Sequence, residues 1–279
     1  MIRLGHIDYS NCFPVHARLL AEGAPEGVEI VAGVPSELNA RLASGEIDVG
    51  PCSSIEYARH AGEYVLLPEL SISSDGPVGS ILLESALPLA SLGGREVAVA
   101  SASATSVVLL RALLELRLGI EPVLRSWDQG ADPDPVAEGA AAALRIGDSA
   151  LKRRVPEGRH VLDLGDAWRA WTGLPFVFAV WQTTRPVDDA ESIRCHGRLL
   201  ESRAWFHAHE AELARSQAAT FGVPADRLSA YWRSLRYTLG ERERRGLERF
   251  HALAVQLGEA PVAPPLRFLT VARPSSPAG

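Results

Sequence analysis

The chain has 279 residues, of which 47% are hydrophobic, and it carries a formal net charge of −6 with a pI near 5.8. This length and composition predict a globular protein with room for two domains. The acidic balance, with no basic run among aromatic residues, argues against nucleic acid and anionic membranes as partners, and no apolar run reaches membrane-spanning length.

Short apolar runs alternate with helical patterns over the first 185 residues, which predicts an α/β protein with a mostly parallel sheet. In chain order, we expect strands over 2–7, 28–32, 48–51, 64–67 and 78–83, with helices over 14–20 and 35–44. A second block, 87–178, is expected to hold strands over 96–100, 123–126, 142–146 and 161–164, with a helix over 105–118. A strand over 175–181 follows, then helices from about 190, and the end at 274–279 is expected to be disordered.

This order of elements predicts a hinged, two-lobed clamshell. Lobe 1 is expected to contain residues 1–86 and 183–279, including the C-terminal helices, and lobe 2 residues 87–182. The two crossings would then lie near 85–88 and 181–185. Ligands of such folds bind between the lobes, at the carboxyl ends of strands, so we expect the site there.

The three cysteines are widely spaced and include no CxxC pair, which argues against a disulfide or zinc framework. Met1 leads directly into a strand-like run without a secretory apolar segment, so we expect a cytoplasmic protein.

Common catalytic signatures such as GxSxG, HExxH and the Walker loop are missing. Small polar residues instead follow several predicted strands or open the next helix. Each of them alone is also typical of a turn or a helix cap. Taken together they predict a shared cleft that binds a small, oxygen-rich carboxylate through hydroxyls and helix N-termini. The candidate segments are Tyr9-Ser10-Asn11-Cys12, Ser53-Ser54, Ser73 to Ser80, Ser101 to Val107 and Ile146-Gly147-Asp148.

Five motifs occur in a recognisable order: Gly5-His6-Ile7 with Asn11-Cys12-x-Pro14, Asp75-Gly76-Pro77-Val78-x-Ser80, Thr105-Ser106-Val107, Ile146-Gly147-Asp148, and the segment from Trp171 to Ala179. Together they resemble the chorismate dehydratases of the futalosine route to menaquinone, over roughly residues 2–185. The resemblance implies a type II periplasmic-binding-protein-like fold. It also implies a hydro-lyase that converts chorismate to 3-[(1-carboxyvinyl)oxy]benzoate with neither a metal nor an organic cofactor.

The same resemblance implies a catalytic role for Asn11. A neutral amide is no effective base, so we expect Asn11 to orient the substrate while the substrate's own enolpyruvyl carboxylate takes the ring proton. Asp148 is the rival base, although a helix N-cap would also explain it. Ser80, Thr105 and Ser106 are expected to bind carboxylates, with Ser53 as a weaker candidate.

Two alternatives stay open at this point. One is the sister enzyme of the same route, which makes 1,4-dihydroxy-6-naphthoate from a cyclic futalosine derivative. That family has a Pro-Asn-Asp-Thr stretch near its N-terminus and a histidine near the place of 146–148, and this chain has neither. The other is a cytoplasmic binding protein for a small carboxylate, which the fold equally permits.

Overall fold

The computed structural model describes residues 1–271 and contains two β-sheets with helices packed against them. The strands are β1 (Ile2–Ile7), β2 (Val28–Gly33), β3 (Val49–Ser53), β4 (Val65–Ser74), β5 (Ile81–Ser85), β6 (Glu96–Ala100), β7 (Val123–Trp127), β8 (Ala142–Ile146), β9 (His160–Asp163), β10 (Phe176–Thr183) and β11 (Leu235–Arg236). The helices are α1 (Phe13–Glu22), α2 (Pro35–Ala43), α3 (Ser54–Arg59), α4 (Thr105–Arg111), α5 (Gly147–Lys152), α6 (Leu164–Thr172), α7 (Ala190–Phe221), α8 (Ala225–Ser234) and α9 (Glu241–Gln256). The α/β class is therefore confirmed, and the expected disorder at 274–279 concerns residues outside the described range.

The first sheet has the strand order β11-β4-β10-β3-β1-β2, and we call this sheet with its helices lobe 1. The second has the order β7-β6-β8-β5-β9 and forms lobe 2. Both sheets are mixed, so the expected mostly parallel sheet is wrong. The reason lies in the crossings between lobes. β4 ends at Ser74, where the chain leaves lobe 1, and Phe176 at the start of β10 pairs with it, so β10 must run antiparallel to β4.

Both crossings lie earlier in the chain than expected. Strand β5 pairs with β8 and β9 in lobe 2, and β10 pairs with β3 and β4 in lobe 1. The boundaries at 86/87 and 182/183 therefore need correction, to the segments 75–80 and 173–175. The sequence did not reveal this because β5 and β10 are apolar runs that would suit either sheet, and their partner strands are distant in sequence.

Most strands run into a helix within a few residues, and the turns after β1, β3, β6 and β8 carry most of the candidate residues. The helix expected over 105–118 is α4 followed by a π-helical turn, Ala112–Arg117. Its apolar residues, such as Leu109, Leu110 and Leu113, are buried, so the sequence period does mark the core-facing side. Within the described range, no helix is both long and apolar enough to cross a membrane.

Candidate active site

An inner cavity of about 50 Å³ lies between the two lobes and is lined by residues of both. Its volume is below the roughly 300–1,000 Å³ of typical ligand pockets, and a hydrogen bond between Ile55 of lobe 1 and Thr105 of lobe 2 joins the lobes beside it. Among the described residues, the lining contains no charged side chain and no histidine. Its residues are Ile7, Tyr9, Asn11, Pro35, Ser53, Ile72, Ile81, Ser103, Thr105, Ser106, Ile146, Gly147, Phe178 and Ala179.

Asn11 lies in the turn between β1 and α1, and its side-chain oxygen is buried without a hydrogen-bond partner in the part of the chain that the structure describes. Leaving such a group unpaired costs about 1–3 kcal/mol, so a native structure that keeps one calls for an explanation. A ligand in the cavity would supply one by donating a hydrogen bond to this oxygen. Asn11 is thus equipped to bind and orient.

Ser53 ends β3, and its backbone is fixed on both sides. Its N–H donates to Asn39 Oδ1 at 3.0 Å, and its carbonyl accepts from Gln182 Nε2 at 3.1 Å. Neither bond uses the Ser53 hydroxyl, which is left for the cavity.

Thr105 and Ser106 begin α4 on the lobe 2 side. Thr105 Oγ1 accepts from the backbone N–H of Ile55 at 3.3 Å, a bond that crosses from lobe 1 to lobe 2. The Ser106 N–H donates to Ser103 Oγ at 3.2 Å, and Ser103 itself lines the cavity. The structure therefore brings four predicted residues together: Asn11, Ser53, Thr105 and Ser106.

Two predicted residues, Ser80 and Asp148, are not among those that line the inner cavity. Ser80 is buried directly before Ile81, which does line it, and Ser80 Oγ accepts a hydrogen bond from Tyr231 Oη at 2.7 Å. Because Tyr231 donates, the proton of Ser80 is free to be donated elsewhere.

Asp148 instead lines an outer cavity of about 1540 Å³ at the mouth of the cleft. Its carboxylate accepts from the backbone N–H of Ser10 at 3.1 and 3.2 Å and from the Ser10 hydroxyl. Burial raises the pKa of Asp148 above its usual value, and the two Ser10 donors partly offset that rise.

Tyr9 lines both the inner and the outer cavity, and so separates them. Its ring packs directly on Gly147 of lobe 2: a Cβ added to Gly147 would lie 2.8 Å from Tyr9 Cδ2. Sequence reasoning included Tyr9 and Gly147 in motifs but assigned neither a role. Their adjacency to Asn11 and Asp148 was the signal that could have found them.

A buried pair of histidines lies beside the same turn. The Trp181 indole N–H donates to His16 Nε2 at 3.1 Å, and indole can only donate, so this nitrogen carries no proton. Neutral His16 must then be protonated at Nδ1, which lies 3.0 Å from His6 Nδ1. Burial lowers the pKa of His6 to about 4 and that of His16 well below its usual value, so both are neutral at pH 7.

Cys12 completes a buried group with these histidines, whose possible metal-ligating atoms all lie within 4.8 Å of one another. A metal on His16 Nδ1 would require a proton on Nε2, where the Trp181 N–H already points. Burial also raises the pKa of the Cys12 thiol to about 12, which disfavours the thiolate that binds metals. The donor set does not fit a metal site.

Comparisons with known proteins agree with the architecture. The model of a family described as "Menaquinone biosynthesis" matches residues 2–256. A chorismate dehydratase of Thermus thermophilus is 34% identical over 277 residues, covering 93% of this chain and 97% of that protein.

Two solved structures share the fold. A protein of Archaeoglobus fulgidus has a TM-score of 0.74 at 20% identity, over 92% of this chain and 97% of its own. The periplasmic aliphatic sulphonate binding protein SsuA of Escherichia coli has a TM-score of 0.65 at 17% identity, over 100% and 96%. The expected periplasmic-binding-protein-like clamshell is thereby confirmed.

Proposed function

This chain belongs to the menaquinone-biosynthesis family, and in particular to the chorismate dehydratases within it, and from that membership we propose its reaction. The protein removes water from chorismate to give 3-[(1-carboxyvinyl)oxy]benzoate. The observation that carries the proposal is the 34% identity across 93% of the chain, combined with an uncharged, hydroxyl-lined cavity between the lobes.

The reaction needs little more than positioning. The C–H bond at the ether-bearing ring carbon breaks, its electron pair forms a new ring double bond, and the neighbouring C–O bond breaks to release the hydroxyl. The proton removed and the hydroxyl together leave as water. Because the product ring is aromatic, the elimination is strongly driven, and oriented dipoles around the reacting atoms suffice.

We assign the proton transfer to the enolpyruvyl carboxylate of the substrate itself. No basic side chain of the described range 1–271 lines the inner cavity, and the rival base, Asp148, lies outside its lining with its oxygens bonded to Ser10. Asn11 accepts from or donates to the substrate and holds the carboxylate over the C–H bond. The Asn11 amide takes no proton, because an amide is not basic at neutral pH.

The carboxylates of chorismate need donors rather than cations in this cleft. Thr105, Ser106 and Ser53 offer hydroxyls in the lining, and the start of α4 adds backbone N–H groups. Ser80 joins them in our proposal because its proton is free and its neighbour Ile81 lines the cavity. Among the described residues, the lining offers no histidine, thiol or carboxylate, the usual metal ligands, which supports a reaction without a metal in this cavity. We place this reaction in the futalosine route and in the cytoplasm.

The test is incubation of the purified protein with chorismate and excess chelator, followed by ultraviolet absorbance and mass analysis. Loss of one water with an aromatic product supports the proposal, and Asn11→Ala should lower the rate by at least about 100-fold. Chorismate recovered intact from a stable complex would indicate a binding protein instead. Turnover of a cyclic futalosine derivative, with chorismate unchanged, would indicate the sister enzyme.

A further inference from the structure

Ser10, between Tyr9 and Asn11, is completely buried and held from two directions. Asp148 accepts from its backbone N–H and from its hydroxyl, and the Trp232 indole N–H donates to its carbonyl at 2.7 Å. Every polar group of Ser10 is therefore bonded to a residue distant in sequence.

The two residues that bind Ser10, Trp232 and Asp148, belong to different lobes. Trp232 lies on α8 of the C-terminal helical segment, packed on lobe 1 against Phe13 with ring centroids 5.5 Å apart. Asp148 lies on α5 of lobe 2. The Ser10 contacts with Asp148 consequently cross the interlobe cleft, and opening the lobes must break them.

We propose that Asp148 is a positioning residue: by binding Ser10 across the closed cleft, it fixes the turn that presents Asn11 to the substrate. This inference rests on the proposed function, since Asn11 is the group positioned. Asn11 is then fully positioned only when the lobes close, because one of the two residues that bind Ser10 and fix the turn, Asp148, belongs to lobe 2.

A carboxylate suits this role better than an amide. Ser10 offers two donors to one side chain, and an ionised carboxylate has acceptor sites for both while carrying no proton of its own. An asparagine in its place would present an NH₂ group towards one of the two donors. The only cation facing Asp148 along α5 is Lys152, one turn away, while Tyr9 flanks it from lobe 1.

The experiment is a double-mutant cycle on chorismate turnover with Asp148→Asn, Ser10→Ala and the combination. If Asp148 acts through Ser10, each single variant lowers kcat by about 10- to 100-fold, and the double variant is no worse than the poorer single one. If Asp148 were the base, Asp148→Asn alone would cost far more than Ser10→Ala, and the effects would multiply. That pattern would overturn the proposal.

Asp134→Asn is the matched control. Asp134 is also a lobe 2 carboxylate that accepts a backbone N–H, from Val136, and its side-chain partners Arg145 and Arg153 are in lobe 2 as well. This variant should lose stability and keep kcat.

A readout without turnover separates this proposal from the proposed function. The indole N–H signal of Trp232, identified in NMR spectra with Trp232→Phe, reports the bond to Ser10. It should shift in Asp148→Asn and not in Asp134→Asn. A wild-type protein that leaves chorismate unchanged sinks the proposed function, whereas an unmoved Trp232 signal sinks the positioning role.

Discussion

Replacing Gly147 with alanine should separate lobe closure from fold stability. Gly147 has φ +59°, in the left-handed region, where an L-residue costs about 1–2 kcal/mol. A Cβ there would also lie 2.8 and 2.9 Å from Cδ2 and Cε2 of Tyr9. The backbone strain is present in every folded conformation, but the overlap exists only when lobe 2 meets the Tyr9 ring.

The overlap therefore penalises the closed state alone. Overpacking of a well-packed contact typically costs about 1–3 kcal/mol. A shift of that size in the equilibrium between open and closed lobes corresponds to about 5- to 150-fold. Because the inner cavity forms between the lobes, we expect kcat/KM of Gly147→Ala for chorismate to fall by that factor.

Gly119→Ala provides the matched control. Gly119 also lies in lobe 2 and has φ +66°, but no other atom of the described residues lies within 4 Å of its added Cβ. Urea denaturation should show a similar loss of stability in both variants, whereas only Gly147→Ala should lose kcat/KM and show larger dimensions by small-angle scattering with substrate. Equal kcat/KM in the two variants would refute the reasoning, because backbone strain alone would then account for the loss of kcat/KM without any overlap with Tyr9.

Three further outcomes are expected. His6 has a folded-state pKa of about 4, below the ordinary value of 6.5, so the stability that neutral His6 contributes is fully present above pH 6.5 and is lost as the pH falls towards 4. Between pH 7 and pH 4.5, the unfolding free energy of the wild type should fall by about 2–3 kcal/mol more than that of His6→Asn. An equal fall in the two proteins would contradict this. Lys152 lines the outer cavity without an ion pair among the described residues, so its charge can attract the anionic substrate. Because salt screens such attraction, Lys152→Ala should lower kcat/KM severalfold at low salt only. A loss that persists at high salt would argue against electrostatic steering. Tyr231→Phe removes the hydrogen bond to Ser80 and should lower the free energy of unfolding by about 1 kcal/mol. Tyr237→Phe removes a buried hydroxyl that has no partner among the described residues and should leave this free energy unchanged. Equal unfolding free energies for the two variants would exclude a contribution from the Tyr231–Ser80 bond.

Local features of the fold were predictable because they depend on neighbours in sequence. Strand β8 occupies the residues expected from its apolar run, and the polar turns after β1, β3 and β6 do meet between the lobes. Sheet membership was not predictable from the same signal. The apolar runs of β5 and β10 predict buried strands, but their partners are set by the path of the chain between lobes.

The same limit applies to the site. That Asn11, Ser53, Thr105 and Ser106 line one cavity was predictable because each stands at a strand end or a helix start. The surroundings of Asp148 depend on Ser10, 138 positions away, and no local pattern signals that pairing. A carboxylate at the start of α5 is consistent with a base, a cap or an interlobe tie, and only the folded structure separates these.

The uncharged cavity gives lobe closure a chemical consequence. On the proposed mechanism the base is a carboxylate of the substrate, which is a weak base while water surrounds it. Enclosure among Ile7, Phe178 and the Tyr9 ring removes that water, and desolvation raises the pKa of a carboxylate. A lysine or arginine in the lining would lower this pKa and weaken the base. Lys152, Arg153 and Arg154 line the outer cavity instead, together with four acidic residues, and none of these cations lies beside the reacting carboxylate. The contacts that close the cleft, Tyr9 on Gly147 and Ser10 on Asp148, thus create the environment in which the substrate becomes its own base.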